Sequence, residues 1–479
     1  MATITGVGSD EGMVAPGAPE ELAGPPHAAL NALRPVARAE RISSMDLLRG
    51  FSLMGILIMN ICDFAYGFTN YAFPLSTVKP VFHGPHWKLN TAIWFMRWIF
   101  AEGKMRAMFS MLFGAGVILL TERGLARGAG IRVADIYTRR NMWLVLFGML
   151  HGYLIWSGDI LFYYGLAGLL FLFPFRNVRA SRLIWTAGII LVINSVLGLG
   201  HDYLHARSLR DAAAKANAKL AQHQVLTEDD EDALKQWTEA QEQWRMSPKK
   251  RDKDIAAMQK GYWAAQAHQA HDVLMGELKG SYFGFGDWVG MMLLGMGMFK
   301  NGFLPGRWSV KAYGLTAAIG LPLAWGLSGL GAWKAWSGHF DLFQTALWMV
   351  PPYDLARVSG ALGMGAALMI LLKTGTLKWL LQRVAAVGQM ALSNYLLTSI
   401  SMMTIFVWGP WHWYGYVEYY KIYYAVAGMW LVNLTFSTIW LRYFEFGPVE
   451  WMWRSLTYWK RQPMLIRRAP LPAVAEVTV

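Results

Sequence analysis

The residues of this chain best suited to chemistry are polar groups set inside long apolar stretches. In NMWLVLFGMLHGYLIWSGDILFYYGLAGLL, His151 precedes Asp159 across a tight turn at Ser157 and Gly158. A carboxylate beside an imidazole fixes its tautomer and supports it as a general base. The structural alternatives are a helix cap for Asp159 and an interhelical hydrogen bond for His151. Gly148 and Gly152 flank His151 at GxxxG spacing, so this face can pack closely against a neighbour. In RISSMDLLRGFSLMGILIMN, Asp46 and Arg49 share a helix face, and Asn60 lies near that face about three turns on. The guanidinium fork of Arg49 suits a phosphate or carboxylate, although an ion pair at a helix end also accounts for it.

Further along, PPYDLARVSGALG places Asp354 and Arg357 one helical turn apart, either as an interfacial ion pair or as substrate contacts. In GQMALSNYLLTSISMM, Asn394 stands with Gln389, Ser393, Ser399 and Ser401, residues that glue membrane helices or donate to a ligand. His83 and His86 form an H-x-x-H pair with no further ligands beside it, so no metal site is expected. The single cysteine, Cys62, excludes an internal disulfide and a Cys-based zinc site. Gly-rich phosphate loops, HExxH, GxSxG and EF-hand loops are all missing from the sequence.

These groups need elements that carry them through an apolar medium. The chain is 55% hydrophobic and 16% charged, against about 25% charged in soluble proteins, which argues against a soluble enzyme. Ten apolar stretches have the length a bilayer-crossing helix requires: 46–66, 105–121, 140–157, 159–175, 182–200, 283–299, 309–330, 354–372, 385–409 and 421–441. The fold class is therefore all-α, a polytopic membrane helical bundle with about ten transmembrane helices. Residues 88–101 carry Arg97 and are short for a span, so they read as an interfacial helix.

Charge sets the orientation. The connection after the second span holds Arg123, Arg127, Arg132, Arg139 and Arg140, whereas 331–353 holds only Lys334. An excess of Lys and Arg marks cytoplasmic loops, which places both termini in the cytoplasm. The organisation is then a disordered cytoplasmic tail (1–44), a first membrane bundle (45–200), an extracytoplasmic helical loop (201–280), a second bundle (281–445) and a basic cytoplasmic tail (446–479). The loop is rich in Ala, Gln, Glu and Lys, with a helix break at Ser247 and Pro248. The net charge of +13 reads as this topology signal and as attraction to a bilayer with anionic lipids, not as nucleic-acid binding. SMLFGAGV at 110–117 and MMLLGMGM at 291–298 resemble each other, a weak sign of an internal repeat.

RISSMDLLRGFSLMGILIMNI, GKMRAMFSMLFGAGV, LFGMLHGYLIWSGDILFYYGLAGL, VGQMALSNYLLTSI and WLRYFEFGPVEWMWRSLTY, in that order, resemble the signatures of the YeiB family. That resemblance implies a multi-pass protein of the bacterial plasma (inner) membrane, of unknown function. More distantly, Arg41, Ser44, Asp46, Arg49 and Gly50 form R-x-x-S-x-D-x-x-R-G, similar to the first-span motif of membrane acyltransferases. These include the acyltransferase-3 type and heparan-α-glucosaminide N-acetyltransferase. The likeness implies acyl-CoA as donor substrate, with Arg49 on its phosphates and a histidine as base. It also implies that His83 or His86, in F-H-G-P-H-W, stands where the glucosaminide enzyme has K-H-A-S-W. His151 with Asp159 is the alternative base, and Asn60 or Asn394 could donate to an oxyanion. The same intramembrane polar residues, including Asp46, Asp354 and Arg357, would serve a transporter or flippase for a small molecule or lipid. A structural or sensing membrane protein is a third class, and a homo-oligomer fits any of them.

Overall fold

A chain in hydrocarbon must satisfy every backbone N–H and C=O internally, which selects helices or closed barrels. The structure, a computed structural model, describes residues 43–67, 77–244, 247–280 and 285–466. Among these residues the chain is all-helical, without strands apart from a single bridge between Phe444 and Leu465. α1 is Ser43–Tyr66. α2, Trp87–Met96, continues through a π-turn, Arg97–Ala101, and breaks at Glu102 and Gly103 before α3, Lys104–Ala126. α4 is Arg132–Leu154, and α5, Leu161–Ala167, is prolonged by π and 3-10 turns to Asn177. α6 is Ala180–Gly198. The polar insertion holds α7 (His205–Ala221), α8 (Glu228–Trp244), α9 (Pro248–Met258) and α10 (Tyr262–Met275). Then follow α11 (Phe285–Lys300), α12 (Val310–Ser337), α13 (Leu342–Met349) and α14 (Tyr353–Thr374). α15 (Lys378–Gln389), α16 (Ala391–Met403, with a π extension Thr404–Trp408), α17 (Ile422–Trp440) and α18 (Pro448–Tyr458) complete the described chain.

Among the described residues seven helical stretches are long and apolar enough to cross a bilayer, which marks a membrane protein. The other three expected spans correspond to α4, which carries Asp135, Arg139 and Arg140, to the broken α5, and to the 16-residue α11. The segment expected at the interface, 88–101, forms α2 and its π-turn, packed antiparallel along the distal half of α12. Phe95 meets Trp336 and Phe100 meets Trp325.

Two close parallel crossings hold the bundle together. A Cβ at Gly114 of α3 would overlap the Met292 carbonyl, and one at Gly295 of α11 would overlap the Met111 carbonyl. Arg106 and Asp287, each eight residues before its glycine, also meet, so the two helices run the same way. The pairing keeps the 181-residue spacing of the Arg106–Asp287 contact. The same spacing relates 110–117 to 291–298, so the two similar segments are the ones that face each other. Gly50 of α1 and Gly388 of α15 repeat the geometry against the carbonyls of Val384 and Asp46.

Both expected tails need correction where they are described. Ser43 and Ser44 already belong to α1, and residues 1–42 lie outside the described residues. The stretch 446–479 begins not as a tail but with α18, whose Trp453 indole N–H donates to the Arg140 carbonyl at 3.0 Å. Residues 467–479 lie outside the described residues. Ser247 and Pro248 do break the insertion: Ser247 caps α9, accepting from the Lys250 N–H at 3.3 Å.

Gly114→Ala or Gly295→Ala should push two backbones apart, with a loss of about 1–3 kcal/mol, read as a lower Tm in detergent. Gly116→Ala, where a Cβ meets nothing within 4 Å, should leave Tm unchanged or slightly raised.

Candidate functional site

A cavity of about 1160 Å³ lies among α1, α3, α4, α5, α16 and α18 and reaches the α9–α10 hairpin. Asp46 and Asp63, both on α1, line it at levels ~26 Å apart along the helix. Between them the wall is mainly apolar, with Leu53, Ile56, Phe109, Leu112, Phe113 and Leu144, although Asn60, Glu102, Arg106 and Asp159 also line it.

One end is basic. Arg49 from α1, Arg123 from α3, Arg140 from α4 and Arg454 from α18 all line it. Arg49 donates to Asp46 at 3.0 Å and stays partly exposed. The Arg140 guanidinium lies 3.7 Å from the centroid of the Trp453 ring, a cation–π contact that fixes its direction. Glu450 of α18 caps α16: its carboxylate accepts from the N–H groups of Leu392 (2.6 Å) and Ser393 (3.1 Å) and from the Ser393 hydroxyl. A negative group at a helix N-terminus is favoured by the unpaired amides there. Four guanidinium groups against Asp46 and Glu450 leave this end positive, suited to an anionic group with several oxygens.

Midway, Asp159 lines the cavity, and His151 does not. His151 is fully buried behind it, with Nδ1 2.9 Å from Asp159 Oδ1 and its ring 4.9 Å from that of Tyr395. Asp159 Oδ2 accepts from the Phe162 N–H at 2.7 Å, at the start of α5. The expected pairing of His151 with Asp159 is therefore present, and so is the cap. The role of His151 as a base in contact with ligand does not fit its place behind the carboxylate. Gly148 lets Phe162 and Asp159 approach, as the GxxxG spacing anticipates. Asn60 also lines the cavity.

The far end is closed by α9 and α10. Tyr262 donates to the Leu154 carbonyl at 2.7 Å, Gln266 donates to the carbonyls of Leu154 and Ile155, and Gln269 accepts from the Ser157 N–H. Asp254, His268, His271 and Asp272 from the hairpin line the cavity here, with Asp63 from α1 and Tyr414. The polar composition of the insertion suits a separate outer loop, and nothing in it marks these residues as cavity lining. The structure buries Gln266 and Gln269 of α10 beside Ala265 and Val273, which marks the side that meets the bundle.

The remaining expected site residues lie elsewhere. His83 and His86 are exposed, and His86 pairs with Glu418 at 2.7 Å. Asn394 is buried between α16 and α17, donating to Val387 O (3.1 Å) and Ser437 Oγ (2.8 Å). Asp354 and Arg357 form a buried clamp rather than a ligand site. Arg357 bridges Asp354 and Asp287, Asp287 accepts from Arg106 at 3.3 Å, and Asp354 accepts from Ser195 at 2.5 Å. These contacts join α3, α6, α11 and α14.

Residues 298–460 match the family described as "Protein of unknown function (DUF418)". The chain is 28% identical over 431 residues to the uncharacterised protein YeiB of Escherichia coli (strain K12), covering 87% of this chain and 96% of YeiB. It is 29% identical over 450 residues to the uncharacterised protein YxaH of Bacillus subtilis (strain 168), covering 91% and 98%. Over most of its length the chain is thus similar to these two uncharacterised proteins. No solved structure matches it. In this chain the DUF418 stretch supplies α12 to α18, and with them Gln389, Tyr395, Glu450, Trp453 and Arg454 of the cavity wall. The helices before it supply Asp46, Arg49, Asn60 and Asp159, so neither part of the chain encloses the cavity alone.

Asp159→Ala should strand the buried His151 imidazole and the Phe162 N–H, lowering stability by about 2–4 kcal/mol, read as a drop in Tm. Asp159→Asn should lose less, since its amide oxygen can still cap α5. His83→Ala and His86→Ala should leave Tm unchanged.

Proposed function

We propose that this protein is a membrane-embedded acyltransferase, taking an acyl group from an anionic thioester donor at the basic end and passing it to an acceptor at the hairpin end. One observation carries the reading: a single cavity joins an arginine-lined mouth, through a mainly apolar wall broken by a few polar groups, to a polar far end. Phosphates of a donor such as acyl-CoA would pair with Arg49, Arg123, Arg140 and Arg454. The apolar wall would take the extended arm and the acyl chain. As the acceptor attacks, the carbonyl carbon gains a bond to it and loses its bond to sulfur, and the thiolate leaves protonated. Asn60, which lines the cavity, would donate to the oxyanion that forms between those events. His151 would act through Asp159, orienting it.

By the excess of cytoplasmic Arg and Lys, the basic end would face the cytoplasm of a bacterial plasma membrane, with both termini on that side and anionic headgroups nearby. A second reading, passage of an amphipathic anion without chemistry, draws on the cavity's reach to both ends.

The test reconstitutes the full chain in vesicles, with radiolabelled acetyl-CoA or palmitoyl-CoA on the side of the basic end and hydroxylamine on the other. The wild-type protein should form hydroxamate, and Arg49→Ala with Arg140→Ala should weaken donor binding about 10-fold or more. Movement of intact label with no thioester cleavage would instead establish the second reading.

A further inference from the structure

We infer that His268, held by Asp254 at the hairpin end of the cavity, is the proton acceptor for the acyl acceptor's O–H or N–H. The inference rests on the acyl-transfer reading above. Among the described histidines, only His268 and His271 line the cavity, and His271 is exposed. His268 Nε2 lies 2.7 Å from Asp254 Oδ1, and Tyr414 donates to Asp254 Oδ2 at 2.8 Å. With Nε2–H committed to the carboxylate, Nδ1 is the nitrogen left to accept a proton.

The three residues come from three elements, α9, α10 and the segment before α17, and each is anchored. Ile255 and Met258 bury α9 in the bundle, Gln266 and Gln269 tie α10 to the turn after α4, and Gln259 donates to the Tyr414 carbonyl at 3.0 Å. A base fixed this way loses little freedom when substrate arrives. Burial, and then the charge of Asp254, push the Tyr414 phenol well above its ordinary value. It therefore remains a donor to Asp254 and holds that carboxylate toward the ring. Asp272, Lys250 and Lys253 line the same end, so the charge around His268 is mixed and Asp254 is the carboxylate paired with its ring.

The step balances. His268 Nδ1 takes the proton as the acceptor's oxygen or nitrogen bonds to the thioester carbon. The tetrahedral oxyanion collapses with loss of the C–S bond, and the departing thiolate takes the proton back from His268.

In the vesicle assay with acetyl-CoA and hydroxylamine, His268→Gln should lower hydroxamate formation by ~100-fold or more, with acetyl-CoA binding unchanged. Imidazole added on the hairpin side should restore rate to His268→Ala, a rescue that a structural role would not give. Asp254→Asn should lower the rate less and shift its pH profile. A His268→Gln protein that transfers at the wild-type rate overturns the assignment and leaves the acyl-transfer reading standing. A wild-type protein that cleaves no thioester overturns both.

Discussion

The parallel contact between α3 and α11 is the constraint on which the remaining architecture depends. Two helices that run the same way cannot be neighbours through a short turn, so the chain between them must travel out and back. That path is α4, α5, α6 and the polar insertion. Gly114 and Gly295 let the backbones touch, and Arg106 with Asp287 adds a charged contact one end further on. Through Arg357 and Asp354 the same contact extends to α14 and α6. Buried ions are costly unless paired, and this group is paired throughout, so it fixes relative helix positions more than it adds stability.

With those helices set, the polar residues divide into two populations. Asn394, Asp354 and Arg357 face other helices and hold them. Arg49, Asn60, Asp63, Asp159 and His268 face a shared cavity. Local sequence does not separate the two. Asp46–Arg49 and Asp354–Arg357 have the same spacing and charge order, yet the first pair lines the cavity and the second closes a clamp. The difference lies in what the neighbouring helix presents: open space and arginines in one case, Asp287 and Ser195 in the other.

The insertion shows the same dependence on assembly. Its composition reads as solvated helices, and α7 and α8 conform to that. α9 and α10 instead return to the bundle and close the cavity, because Gln266, Gln269 and Tyr262 find backbone groups freed where α4 ends at Leu154. Unpaired groups at a helix terminus are a strong demand for partners, and side chains distant in sequence can meet it.

The sequence by itself determined the helical class, most of the long apolar helices, that the turn at Ser157–Gly158 could bring Asp159 toward His151, and the break at Ser247–Pro248. Each of these follows from local pattern: apolar run length, a two-residue turn, a capping serine before proline. Only the tertiary structure decided that His151 stands behind Asp159, that α18 is part of the cavity wall and not a tail, and that His268 faces the same space as Arg49. Those relations join residues hundreds of positions apart, and no periodicity records them. They exist because helices with little preference for one partner over another were brought into register by two glycine crossings and a buried set of ions.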